Sequence, residues 1–102
     1  MNEFKLDKKV IIITGAAGLI GKELCDAFAC AKSSLIILDI APKKVLDNIA
    51  NRLKKRYKVS VSPYRLDIKN EQSVNEIIDN VINKYKKIDV LINLAAIDAK
   101  FD

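Results

Sequence analysis

Three glycines, Gly15, Gly18 and Gly21, fall inside Thr14 to Gly21 (TGAAGLIG), between an apolar run and an amphipathic one. Glycine lets a turn take positive φ and lets a ligand come close to the backbone. A helix starting at such a turn presents free N–H groups and a partial positive charge, which suits a pyrophosphate. A triphosphate cradle would need G-x-x-x-x-G-K-S/T. Here Gly15 and Gly21 enclose five residues, and Lys22 is followed by Glu23, so the P-loop is excluded. Asp39 lies 18 residues after Gly21, at the end of the apolar run Leu35 to Leu38. A carboxylate there can accept hydrogen bonds from an adenosine ribose, and it would repel a 2′-phosphate. Its neighbours Ala16 and Ile40 are neutral, which favours NAD over NADP, while Lys43 and Lys44 keep NADP open. Asp39 also reads as a plain helix-capping acid.

The elements that must position these residues alternate. Residues 9–14 and 34–39 read as buried strands. Residues 19–32 read as a helix with Ile20, Leu24, Ala27, Phe28 and Ala31 on one face. Pro42 suits the first turn of a second helix, carried to about residue 57 by Val45, Leu46, Ile49, Leu53 and Tyr57. Residues 58–65 are a weaker strand toward a sheet edge, because Pro63 lacks a donor. Asn70 can cap a third helix bearing Val74, Ile77, Ile78, Val81, Ile82 and Tyr85, and residues 88–95 form a fourth strand. The order β-α-β-α-β-α-β predicts an α/β fold, a three-layer Rossmann-type parallel sheet with strand order 3-2-1-4. Two helices on one face and a single helix on the other leave four apolar strands incompletely covered. The fourth strand (Val90, Leu91, Ile92, Leu94) is an open apolar edge, so self-association through that edge or face is expected, as a homo-oligomer.

The chain has 102 residues, one domain's worth, and half of them are hydrophobic, enough for one modest core. Its net charge is +5, with lysines and arginines gathered at 52–58 and 84–87, the predicted ends of helices. Cations suit a helix C-terminus, so these read as solvated ends and not as a nucleic-acid surface. No apolar run approaches the roughly 18 residues of a membrane span, and the start MNEFKLDKK has no h-region. Cys25 and Cys30 are five residues apart, about 140° around a helix, and cannot pair. With no histidine and no CxxC there is little to build a zinc site from, and two partly buried, reduced thiols suit the cytoplasm.

Three segments together resemble the N-terminal part of a short-chain dehydrogenase/reductase: TGAAGLIG (14–21), LDI (66–68) and IDVLINLAA (88–96). The resemblance spans essentially the whole chain. It implies that Thr14, Gly15, Gly18, Leu19, Ile20 and Gly21 form the pyrophosphate turn. Asp39, with Ile40 beside it, would hold the adenosine ribose. Asp67 and Ile68 would flank the adenine, although Asp67 also reads as a cap for the following helix. Asn93, Ala95 and Ala96 would border the nicotinamide-side ribose. The G-x-x-G-x-x-G spacing resembles the extended branch of the family, home of sugar-nucleotide epimerases and dehydratases. SVNEIIDNVINKYKKIDVLIN is a longer match and resembles the shorter reductase branch, which includes acyl-carrier-protein reductases. NLAA stands where that branch has N-N-A-G, so Leu94 supplies no second amide and Ala96 puts a Cβ at the glycine position.

The family's chemistry is hydride transfer between a nicotinamide and a carbonyl or alcohol, served by a tyrosine, a lysine four residues later and a serine. Here Tyr57, Tyr64 and Tyr85 are followed four residues on by Val61, Ile68 and Asp89. The expectation is therefore an incomplete NAD(P)-binding Rossmann domain over 1–102, not competent alone, with its small-molecule substrate bound by residues outside this sequence. The alternatives are a non-catalytic nucleotide-binding or dimerising remnant, or the N-terminal part of an extended-type sugar-nucleotide epimerase or dehydratase.

Overall fold

The computed structural model describes residues 6–95. Its elements run β1 (Val10–Thr14), α1 (Leu19–Cys30), β2 (Ser34–Asp39), α2 (Lys43–Tyr57), β3 (Val61–Arg65), α3 (Glu71–Tyr85) and β4 (Val90–Asn93). All strand pairs are parallel, in the order β3-β2-β1-β4. This is the expected Rossmann-type topology. β1 is buried at every position and β2 at its four central ones, because both have helices above and below them.

Alternate residues of the central strands feed two cores. Ile11, Ile13, Leu35 and Ile37 pack with Cys25 and Ala29 of α1 and with Ile49, Ala50 and Leu53 of α2. Val10, Ile12, Ile36 and Leu38 pack with Ile77 and Val81 of α3. Two helices therefore cover one face and one helix covers the other. β3 is an edge strand, with Pro63 opposite Ile37. β4 is the other edge: Val90 is 40% and Leu91 61% exposed. It is fastened to β1 at its start, where the Val10 N–H donates to Asp89 Oδ2 (2.8 Å).

The apolar face of α1 differs from the periodicity reading. The residues buried within the helix are Gly21, Cys25 and Ala29, while Ile20 is 58% exposed and Ala27 faces solvent. The cause is steric. At Gly21 the helix touches its own preceding turn, which leaves no room for a Cβ there, and this fixes the stripe that continues through Cys25 and Ala29 into the core. The cysteines differ as well: Cys25 is buried and Cys30 exposed, where two partly buried thiols were expected. Burial first, and the neighbouring Asp26 second, push the Cys25 thiol up to about 12. The basic clusters lie at helix ends, with Lys54, Lys55 and Arg56 in the last turn of α2 and Lys84 in that of α3.

Candidate cofactor site

The turn between β1 and α1 is built around two glycines with different jobs. Gly15 has φ +72°, and a Cβ there would meet Ala95 N at 2.9 Å and Leu94 C at 3.1 Å. It bends the chain out of β1 under the exit of β4. Gly21 has ordinary helical backbone, but a Cβ would fall 2.2 Å from the Gly15 carbonyl oxygen. The turn thus folds flat against the first turn of α1. Gly18 is the N-cap of α1 and lies in the extended region. Of the three glycines only Gly15 uses positive φ.

This leaves the start of α1 bare. No side chain caps it, and no acid sits in its first turn. By contrast, α3 is capped by Asn70, which accepts from the Ser73 N–H (3.1 Å), and carries Glu71 in its first turn. The opening N–H groups of α1 and its positive dipole end are therefore free to meet an anion.

Asp39 ends β2 and reaches into that turn. Its Oδ2 accepts from the Ala17 N–H and its Oδ1 from the Ala41 N–H, both at 2.9 Å. One carboxylate thus joins the glycine turn to the start of the β2–α2 loop. Each oxygen keeps a second lone pair for a ligand hydroxyl. Next to it, Arg65 Nε donates to the Ile40 carbonyl oxygen (3.1 Å). Ile40, Arg65, Leu66, Asp67, Asn70 and Ser73 line a recess of about 360 Å³ between the ends of β2 and β3. Asp67 holds the turn before α3, its Oδ1 accepting from the Lys69 N–H (3.0 Å), and the cap itself is Asn70. Leu19 (81%), Ile20 (58%), Ile40 (60%) and Ile68 (38%) expose apolar surface in this same neighbourhood.

At the β1–β4 junction, Thr14 Oγ1 donates to Asn93 Oδ1 (2.6 Å) and accepts from the Ala95 N–H (3.2 Å). Thr14 and Asn93 are thereby tied to one another. Leu94 packs its Cβ against Gly15. Ala96 lies outside the described residues.

Two of the three tyrosines are held at other places in the fold. Tyr57 donates to Asp26 Oδ1 (2.9 Å) at the far end of α2. Tyr85 lies at the amino end of the sheet, its hydroxyl 2.6 Å from Ser60 Oγ and 3.1 Å from Ser62 Oγ. Burial pushes the Tyr85 phenol up, but the two serine hydrogen bonds and Lys84 together hold it below its ordinary value.

A profile of the family described as short chain dehydrogenase matches residues 9–102. The chain belongs to that family. It is 38% identical over 95 residues to an NADP-dependent 3-hydroxy acid dehydrogenase of Schizosaccharomyces pombe, covering 91% of this chain and 36% of that protein. It is 37% identical over 93 residues to a 3-oxoacyl-[acyl-carrier-protein] reductase of Thermotoga maritima, covering 91% of this chain and 37% of that one. A solved NAD+-bound xylitol dehydrogenase superposes with a TM-score of 0.78 at 27% identity, covering 88% of this chain and 33% of that one. The chain therefore spans about a third of the length of the family members it matches. Among the expected site residues, the fold gathers Gly15, Gly18, Leu19, Ile20, Gly21, Asp39, Ile40, Asp67 and Ile68 at the carboxyl ends of β1, β2 and β3. Thr14, Asn93 and Ala95 meet at the β1–β4 junction beside them. The sequence reading did not single out Arg65, which lines the recess at the ends of β2 and β3. Its signal was the pairing of strand ends, Asp39 opposite Arg65.

Proposed function

We propose that this chain is the nicotinamide-dinucleotide-binding part of a short-chain dehydrogenase/reductase and takes NAD as its cofactor. The observation that carries the proposal is the Asp39 carboxylate fastened to the glycine turn through Ala17, beside an uncapped helix N-terminus. The residues fit the group. A Cβ would crowd both Gly15 and Gly21, so the turn stays flat enough for close approach. The start of α1 offers N–H donors to the pyrophosphate, Asp39 offers acceptor lone pairs to the adenosine ribose, and Ile40 and Ile68 offer apolar surface to the adenine. When bound, the nicotinamide supplies the hydride donor or acceptor for a carbonyl or alcohol substrate. Positioning that substrate and moving its proton require an acid/base group. No tyrosine of this sequence has a lysine four residues on, so the chain binds cofactor without turning substrate over.

The test is calorimetric titration with NAD+, alongside thermal unfolding. Cofactor at 100 times its Kd adds about 2.7 kcal/mol of stability. Asp39→Asn keeps the size of the side chain but gives up one acceptor and the charge, and should weaken NAD+ about tenfold, since a hydrogen bond to a charged group contributes roughly 1.5–3 kcal/mol. An unmodified chain that neither binds NAD+ nor gains stability from it refutes the proposal and leaves the remnant reading.

A further inference from the structure

We infer that the amino end of the sheet carries an anion site separate from the glycine turn, a recess that takes a small ligand by its phosphate or pyrophosphate group. Lys8, Lys32, Lys58, Ser34 and Ser60, with Asp7, line a cavity of about 380 Å³. It lies where the chain enters β1, β2 and β3, at the opposite strand ends from the glycine turn. Three separate segments each deliver one lysine. Val10 stands opposite Ser34, so two residues earlier Lys8 falls beside Lys32, and the Lys8 N–H donates to the Lys32 carbonyl oxygen (3.3 Å). Lys32 Nζ in turn donates to the carbonyl oxygen of Tyr57 (2.6 Å), the residue before Lys58. Lys8, Lys32 and Lys58 have φ of 63°, 75° and 60°, a backbone conformation that favours glycine or asparagine. A cation at one helix end is ordinary. Three of them, from different turns around one recess, make a charged pocket.

The charge balance suits an anion. Three ammonium groups line the recess against one carboxylate, Asp7. Among the described residues neither Lys8 nor Lys58 is ion-paired; the pairs there belong to Lys43, Arg52 and Lys87. Lys32 keeps two N–H groups after its bond to Tyr57. The ends of α1 and α2 also reach this pole, and their dipoles oppose an anion. Their last carbonyls, however, are spent within the fold. The Phe28 oxygen accepts from the Ser33 N–H (3.2 Å) and from Ser33 Oγ (2.8 Å), the Ala29 oxygen from the Lys32 N–H (2.9 Å), and the Lys54 oxygen from the Lys58 N–H (2.9 Å). Ser60 Oγ lies 2.6 Å from the Tyr85 hydroxyl, and when it accepts from that phenol its own proton is left for a ligand. A compact ammonium binds phosphate as a point charge, so no forked geometry is needed.

The experiment titrates inorganic pyrophosphate into the isotope-labelled chain at fixed ionic strength and follows the backbone amide resonances. Shifts at Lys8, Lys32, Ser34, Lys58 and Ser60 should be the largest outside the glycine turn, and they should saturate. Calorimetry then compares the unmodified chain with Lys58→Gln and Lys55→Gln. Lys55 stands in the last turn of the same helix but does not line the recess, so the two variants lose the same charge. Lys58→Gln should weaken binding in the recess about tenfold, the size of one charge-assisted bond. Lys55→Gln should leave it within about twofold, because exposed charges outside the recess are screened. Lys8→Gln, on a different segment, should repeat the loss, and circular dichroism verifies that each variant is folded. Shifts that never saturate, or equal losses in Lys58→Gln and Lys55→Gln, would reduce the effect to the chain's general positive charge and overturn the inference. Shifts confined to Gly15–Ile20 would place pyrophosphate at the glycine turn alone and overturn it as well.

Discussion

Gly21→Ala sets two physical effects against each other. In an exposed helix interior, replacing glycine by alanine stabilises by about 1 kcal/mol, because glycine has more backbone freedom to lose. At Gly21 the added Cβ would lie 2.2 Å from the Gly15 carbonyl oxygen, 2.9 Å from Ala16 Cα and 3.0 Å from Ala16 C. The first contact is roughly 1 Å short of van der Waals separation, and all three obstacles are backbone. No rotamer relieves them, so α1 must move off the turn, and Cys25 and Ala29, packed in the core on the same side of the helix, must move with it. Overpacking of this kind costs about 1–3 kcal/mol. Steric cost should therefore exceed the propensity gain, leaving a net loss of about 1–2 kcal/mol. In a domain of this size that is roughly 4–8 °C in Tm per kcal/mol. Urea unfolding followed by circular dichroism measures it, with the denaturant slope as a check that the folded state stays compact. NAD+ affinity should fall as well, because the displaced helix carries the N–H donors. A Gly21→Ala chain as stable as the parent, or more stable, would refute the close contact between turn and helix.

Other expectations concern the rest of the chain. A thiol reagent at neutral pH should label one cysteine quickly, Cys30; Cys25, fully buried with its thiol pushed up to about 12, should react only on unfolding, and two fast equivalents would contradict that. Because the folded Cys25 value lies above the ordinary 9.0, its contribution to stability is complete below pH 9 and is lost as pH rises toward 12. The Asp89 carboxyl is held below its ordinary value by the Val10 N–H first and Lys87 second, so its contribution is present at neutral pH and lost as pH falls through its folded value. Stability measured down the acid limb should thus drop further in the parent than in Asp89→Asn, and parallel curves would remove Asp89 as the tie between β4 and β1. The exposed edge at Val90 and Leu91 should make the chain self-associate at micromolar concentration, and Leu91→Lys should reverse it; a monomeric parent in sedimentation runs contradicts this.

Features that depend on contiguous residues were legible in the sequence. Continuous apolar runs marked β1 and β2, helical spacing marked α3, and short connections forced the parallel order. The misjudged face of α1 shows where periodicity stops. Hydropathy weights Ile20 and Leu24, yet the helix turns Gly21, Cys25 and Ala29 inward: at Gly21 the adjacent turn leaves no room for a Cβ, and one and two turns on, Cys25 and Ala29 follow on the same stripe into the core. That constraint exists only in three dimensions. The same holds for Arg65. Nothing within a few residues of Arg65 marks it, and its place at the recess comes from a strand end 26 residues earlier, paired with it across the sheet. Lys43 lies closer in sequence to Asp39, but its ammonium is spent on a neighbour one helical turn away.

Asp39 shows why a ligand-binding acid and a fold-holding acid need not be alternatives. Its spacing from the glycine turn pointed to a ribose, and its type also suited a cap; the structure gives it two backbone bonds, one of them to a residue 22 positions earlier. Those bonds hold the glycine turn against the end of β2, so on the proposed cofactor reading the same carboxylate would both shape the turn and offer the ribose its acceptors. Asp39→Asn must then act twice. Loss of an acceptor for Ala17 or Ala41 lowers the stability of the ligand-free chain by about 1 kcal/mol. Loss of the ribose acceptor lowers the increment that NAD+ adds. The two are separable, because ligand stabilisation depends only on concentration relative to Kd in the folded state. If the ligand-free chain weakens while the NAD+ increment is unchanged, Asp39 is a positioning residue for the turn. If both fall, one carboxylate does both jobs, which its four lone-pair sites and only two backbone donors allow.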